Sequence, residues 1–202
     1  MFHVKHRELW SGVAAEFGHP LLDPDLDRLQ AFCEWLRSEA IPAGALGPAE
    51  ADRLHDRHIA DSLLFASFLE RPDRVVDLGS GAGLPGIPLA VMLPETQFVL
   101  LDRSGKRVDL MHRAKRILEL ENVEVVQGEI DGWSQPVPAL VSRATLPPDR
   151  ARPVLWSLLE PEGTAVLGGS WVVAPEHEGF ETVGVESKVL DRTIWLLIMR
   201  RT

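Results

Sequence analysis

Apolar positions recur with two different rhythms along this chain, and the change falls near residue 70. In LDPDLDRLQAFCEWLRSE, Leu26, Leu29, Phe32, Cys33 and Leu36 are three or four residues apart or adjacent. That spacing predicts an amphipathic helix, with Asp23 or Asp25 near its start. IPAGALGP interrupts it, and Glu50 to Leu69 reads as a second helix with Ile59, Leu63, Phe65 and Phe68 among its apolar positions. Arg71-Pro72-Asp73 ends that helix. From Arg74 the apolar residues come in short β-branched runs: RVVDL, QFVLL, VEVV, ALVS and TAVL. Between them lie LPGIPLAVML, a helix from Ser104 to about Leu120 capped by Ser104, and ARPVLWSLL. The tail, FETVGVES and TIWLLIM, reads as a hairpin. Strands alternating with helices predict a mostly parallel sheet covered on both faces. The expected organisation is a helical cap (1–70) packed on an α/β domain (71–202).

Composition narrows the class. The chain has 202 residues and a single cysteine, Cys33, which excludes an internal disulfide and a cysteine-rich zinc site. There is too little chain for a dehydrogenase with a separate catalytic domain. No apolar run is long enough to span a bilayer and no secretory leader is expected, so a reducing cytoplasm is the expected location. The formal net charge of −9 disfavours a polyanionic partner, so any nucleic acid must meet a local basic patch.

The richest chemistry sits in VDLGSGAGLPGIPLA, residues 76–90, where Gly79, Gly81, Gly83 and Gly86 lie between a strand and a helix. Glycines there let a ligand approach the backbone, and the helix start offers free N–H groups. Ser80 and Leu84 belong to the same turn. Asp102, at the end of the next strand, is placed to accept hydrogen bonds from a ribose diol. GAGLPG also satisfies the dinucleotide pattern G-x-G-x-x-G, so NAD stays open on pattern alone. S-adenosylmethionine is favoured because Gly79 sets a turn before the dinucleotide frame. Asp77 can also orient a cationic amino-acid group at the strand end, and no hydride-acceptor domain has room.

Several stretches together resemble the glucose-inhibited division protein B family, the ribosomal RNA small subunit methyltransferase G family. They are FHVKH at the start, RHIADSL at 57–63, DLGSGAGLPGIPLA at 77–90, LLDRSGKRVDLM at 100–111 (by the notation of this chain), LELENVEVV at 118–126 and SRA at 142–144. The resemblance implies a class I S-adenosylmethionine-dependent methyltransferase: a Rossmann-like, mostly parallel seven-stranded sheet with an N-terminal helical cap. It also implies methyl transfer to N7 of a guanine in 16S ribosomal RNA. Gly79 and Leu84 fall where the family contacts the donor. The family's G-R-A-E-E-F stretch corresponds to Gly128–Trp133, which gives Ile130 and Asp131 the adenine-proximal places. Arg143 of the SRA stretch matches a residue near the donor and the incoming base, and is the expected catalytic residue. Two departures remove cations: Glu129 stands for an arginine and Gly168 for a lysine.

Guanine N7 carries an in-plane lone pair and needs no deprotonation, so alignment, not a general base, is the expected task. Arg143 then suits guanine O6 or a phosphate, since a donor aimed at N7 would block attack. Arg103, Lys106, Arg107, Arg113, Lys115 and Arg116 are the candidate RNA-backbone contacts, with a solvated helix face as the other reading. HVKHR (3–7) is either a second contact or a disordered tail. His55, His58 and Asp61 share a helical spacing. They read as a polar network or a pocket wall rather than a metal site. A monomer, no membrane and no metal are expected. Methylation of another RNA or a small molecule remains the alternative substrate class. The acidic chain suggests that assembled, protein-bearing subunits are the substrate.

Overall fold

The computed structural model describes residues 2–202, with side chains described from Lys5 onward. Seven strands form one sheet in the order β3-β2-β1-β4-β5-β7-β6. They are β1 (Arg74–Leu78), β2 (Gln97–Asp102), β3 (Val123–Gln127), β4 (Val137–Arg143), β5 (Leu159–Gly168), β6 (Glu181–Ser187) and β7 (Arg192–Arg200). The first five run parallel, and β7 inserts antiparallel between β5 and β6. Side chains alternate between the faces, as the pleat requires. Val75, Leu100 and Val141 point to one apolar cluster, while Val76, Leu101 and Leu140 point to the other.

Helix α1 (Phe2–Glu16) and helix α2 (Asp23–Trp35) begin the cap. Their apolar residues Trp10, Leu29 and Phe32 join the same core cluster as Ile87 and Phe98 of the sheet domain. Helices α4 (Gly86–Met92) and α5 (Gly105–Ile117) pack near this face, and α6 (Pro148–Leu158) covers the other. None of the helices among the described residues is long and apolar enough to cross a membrane.

Four sequence expectations need correction. The segment 3–7 is not a loose tail but the first turns of α1, where Arg7 pairs with Asp23 and Asp27 and His6 stacks on His55. The continuous helix expected over 50–69 is broken into 3-10 turns at Pro48–Arg53, a π-helical stretch at Leu54–Ala60, one α-helical turn, α3 (Asp61–Leu63), and 3-10 turns at Leu64–Phe68. Widened turns of this kind alter which side chains share a face, and they cluster at functional sites. Ser104 occupies the cap position of α5, yet its hydroxyl makes no capping bond; its N–H is instead held by Asp102 Oδ1 at 2.9 Å. The same helix ends at Ile117 rather than Leu120, because Glu119 turns into a left-handed conformation (φ 52°).

Candidate active site

Strand order reverses between β1 and β4, the place where open α/β sheets leave a crevice above the carboxyl ends of the strands. A cavity of about 640 Å³ opens there. Its floor is the β1–α4 loop, contributing Gly79, Ser80, Gly81 and Leu84. One side is built by Asp102, Arg103 and Arg107, and the next by Gly128, Glu129, Ile130 and Asp131. Arg143, Ala144 and Thr145 close it from the end of β4. Glu50, Arg53, Arg57, His58 and Asp61 complete it from the cap.

Of the residues expected from sequence, Gly79, Ser80, Gly81, Leu84, Asp102, Ile130, Asp131 and Arg143 line this one cavity. Gly83 does not. It sits behind the loop, where an added Cβ would lie 2.4 Å from Ile87 Cδ1. Gly86 likewise serves packing: a Cβ there would meet Leu100 Cδ2 at 2.3 Å, so α4 crosses the sheet at a distance only glycine allows. Of this turn's glycines, those facing the cavity are therefore Gly79 and Gly81, earlier in the chain than the GAGLPG dinucleotide frame would put its closely packed pair. Asp77 is also off the cavity wall. It is wholly buried, with Oδ2 accepting from Gly86 N–H at 2.9 Å and Oδ1 without a hydrogen-bond partner among the described residues.

Burial pushes the Asp77 carboxyl up from 3.8 to about 6, against the pull of Ser80, the Gly86 N–H and Arg143. An acid whose pKa is raised by folding holds its proton more tightly in the folded state. The fold therefore loses stability as pH climbs from the unfolded value through the folded one. The difference between those values amounts to about 3 kcal/mol. Urea titrations of the wild type and Asp77→Asn should show the wild type losing about 3 kcal/mol relative to the variant between about pH 4 and pH 7. Parallel profiles for the two proteins would refute this.

Asp102 is 3% exposed and organises the loop it faces. Its Oδ2 accepts from Gly81 N–H at 3.0 Å and lies 3.5 Å from Arg107, while Oδ1 holds Ser104 N–H. Each carboxylate oxygen keeps acceptor capacity toward the cavity. Removing the carboxylate strands two backbone N–H groups. Asp102→Ala should thus weaken binding of S-adenosylhomocysteine by about 10- to 100-fold and lower stability by roughly 1–3 kcal/mol. Calorimetry and thermal unfolding read the two effects, and unchanged affinity would remove Asp102 from the site.

The basic stretch on α5 divides. Arg103 and Arg107 reach the cavity rim. Arg113 turns to the cap and meets Glu39 at 3.3 Å, and Lys106 and Arg116 are exposed on the surface with Lys115 half-buried between them. Arg53 and Arg57 of the cap add two cations to the rim that sequence reasoning did not single out. Their only signal was their place in and before the RHIADSL stretch. The acids Glu129 and Asp131 make the opposite wall negative. At Gly168 an added Cβ would lie 2.4 Å from the Phe65 ring, so the cap's phenylalanine fills the space a side chain would need.

His55, His58 and Asp61 do not converge. His55 stacks on His6 and approaches Cys33 Sγ at 3.5 Å, Asp61 pairs with Arg192 at 2.6 Å, and only His58 and Asp61 reach the cavity wall. Burial pushes the Cys33 thiol up to about 11, so it stays protonated at neutral pH.

A glycine turn with room for a ligand, an anchored acid at the tip of β2 and a wall of Ile130 and Asp131 after β3 fit an adenosine-bearing donor. Fold and site together define a class I S-adenosylmethionine-dependent methyltransferase. The chain belongs to the GidB family, described as rRNA small subunit methyltransferase G, whose model matches residues 25–178. A Ribosomal RNA small subunit methyltransferase G of Mycolicibacterium paratuberculosis is 38% identical over 214 residues, covering 95% of this chain and 84% of that protein. The enzyme of the same name from Mycobacterium marinum is 38% identical over 151 residues, 71% of this chain; the aligned part spans 64% of that relative's length. Among solved structures, magnesium protoporphyrin IX methyltransferase from Synechocystis PCC 6803, with bound SAM, superposes with a TM-score of 0.59 at 16% identity. It covers 90% of this chain and 99% of that one, a likeness of fold.

Proposed function

We propose that this protein transfers a methyl group from S-adenosylmethionine to N7 of a guanine in 16S ribosomal RNA, acting as a monomer in the cytoplasm. The observation that carries this reading is the convergence of the glycine turn, Asp102 and Arg143 on one cavity in a chain of the methyltransferase G family. Bound there, the donor would supply an electrophilic methyl on a sulfonium centre. The chain's own task is to hold and align. Gly79 and Gly81 would let the donor lie against backbone, Asp102 would hold its ribose, and Ile130 would pack its adenine while Asp131 accepts from the amino group. Arg143 donates to guanine O6 or a flanking phosphate, leaving N7 free for attack.

In this reading the cap (1–70) is packed on the methyltransferase domain (71–202) and walls the substrate side. Arg53, Arg57, Arg103 and Arg107 meet RNA phosphates at the rim, and Lys106, Arg113, Lys115 and Arg116 extend that surface. With a chain this acidic, assembled subunits carrying their own basic proteins suit it better than bare RNA. The test uses small subunits and naked 16S RNA, both from cells lacking the enzyme. Mass spectrometry should find one new 7-methylguanine, formed faster on subunits. No methyl on either substrate would overturn the reading, and equal rates would overturn the preference for subunits.

A further inference from the structure

Arg143 is held by the cap rather than by a carboxylate. Its Nη1 donates to the Arg57 carbonyl at 3.3 Å, and its Nη2 lies 3.0 Å from His58 Nδ1. His58 in turn has Nε2 2.8 Å from Glu50 Oε2. A guanidinium can only donate, so the His58 nitrogen facing it must carry a lone pair. The ring proton then sits on Nε2 and goes to Glu50. One neutral tautomer satisfies both neighbours, whereas a protonated ring would turn an N–H against the guanidinium.

We propose that His58, oriented by Glu50, is a positioning residue for Arg143, so that the cap aims the arginine that the transfer reaction uses. The proposal deepens the function given above, and its activity measurements rest on that function. The choice of histidine has a physical reason. Asp61 and Asp77 both attract Arg143, and contact with either would neutralise its charge and draw it out of the cavity. A neutral imidazole fixes the direction of the guanidinium without cancelling its field. The remaining N–H groups are left to face substrate. The π-helical stretch at Leu54–Ala60 supplies the geometry, presenting the Arg57 carbonyl and the His58 ring to the same side chain.

The charged groups facing His58 are Arg143 from β4, Glu50 from the preceding 3-10 turn and Arg57 from its own turn. Burial first, and then Arg143, hold its pKa below the ordinary histidine value, while Glu50 opposes them. At neutral pH the ring is neutral, and acidification protonates it and releases the arginine. The rate of methyl transfer should therefore fall in acid, below the usual histidine range, with donor binding little changed.

Three variants and one spectrum decide the matter. His58→Phe keeps the bulk but offers no acceptor. Its kcat should fall about 100-fold, the scale of a roughly 1 Å misplacement, while S-adenosylhomocysteine affinity stays within about threefold. His58→Asn keeps an acceptor near the Nδ1 position and cannot titrate. It should restore kcat to within about tenfold of wild type and lose the acid limb of the pH profile. Wild-type turnover in His58→Phe, or an unchanged acid limb in His58→Asn, overturns the proposal. Independently of any activity, nitrogen NMR of the histidine rings should show His58 protonated on Nε2 alone at neutral pH. Arg143→Ala should shift its titration upward. A proton on Nδ1, or no shift, overturns the proposal even where the enzyme folds and works. If neither subunits nor RNA were methylated, the function would fail while the spectrum still judged the pair.

Discussion

Gly79→Ala should nearly abolish donor binding and lower stability by about 2–5 kcal/mol, the sum of two separate penalties. Gly79 has φ 71°, the left-handed region, which costs a residue with a Cβ roughly 1–2 kcal/mol. The added methyl would also lie 2.2 Å from Thr145 Cγ2 and 2.7 Å from Thr145 Oγ1. Thr145 cannot simply withdraw, because its hydroxyl donates to the Gly79 and Arg143 carbonyls at 3.2 and 3.3 Å. The loop itself is clamped from below, where the Gly79 and Ser80 N–H groups both bond the Leu101 carbonyl at 2.8 and 3.0 Å. Strain at this residue is therefore passed directly to the cavity floor and to the base of Arg143. Affinity for S-adenosylhomocysteine should fall by about 100-fold or more, on the scale of a few kcal/mol of loop distortion. Adding Thr145→Ala should recover the crowding part and leave the backbone part. Gly47→Ala is the control: nothing lies within 4 Å of its Cβ position, and stability should stay level or rise by up to about 1 kcal/mol. Calorimetry showing full affinity in Gly79→Ala would mean that the donor does not rest on this turn.

The contrast between Gly79 and Thr145 shows which parts of the site could be read along the chain. Strand, glycine turn, helix and the acid at the end of β2 are local or follow a regular βαβ spacing, so Gly79, Gly81 and Asp102 were legible, while Leu84 was reached through family resemblance. Ile130 and Asp131 were reached only through family resemblance, since a short 3-10 turn after β3 has no periodicity to announce it. Thr145 was missed, because its contact with Gly79 spans 66 positions of chain and depends on β1 pairing with β4. The same holds for Glu50, Arg53 and Arg57. Apolar spacing predicted a regular helix there. Tertiary contacts instead bent the segment into 3-10 and π turns that turn His58 toward β4 and Asp61 toward Arg192 of β7. Asp77 was misjudged for a related reason. Charge at a strand end looks like ligand-binding chemistry, but Asp77 points back into the packing beneath Gly86, whereas Asp102 lines the cavity while also holding backbone of its own loop.

Arg143→Ala is expected to lower the rate of methyl transfer by about 100- to 1,000-fold, the usual loss when one preorganised donor is removed from a reacting centre. The arginine stands at the tip of β4, beside the strand-order reversal, and points into the cavity from the wall opposite Ile130 and Asp131. Its burial lowers its pKa from the ordinary arginine value, while Asp77, Asp61 and Glu50 pull the other way. An arginine remains charged under these conditions. Deleting it leaves Asp61 and Glu50 on the cavity wall, and Asp77 buried behind it, without their common cation, which should repel RNA phosphate as well as misalign guanine. The loss should consequently divide between kcat and the KM for RNA, with S-adenosylhomocysteine affinity reduced by less than about tenfold, since the glycine turn and Asp102 are untouched. Arg143→Lys restores the charge but not the planar fork, and a point charge cannot span His58, the Arg57 carbonyl and a substrate edge together. It should recover the KM for RNA more than kcat. Steady-state kinetics on subunits isolated from a strain lacking the enzyme separate these quantities, and full recovery of kcat by lysine would reduce Arg143 to a source of charge.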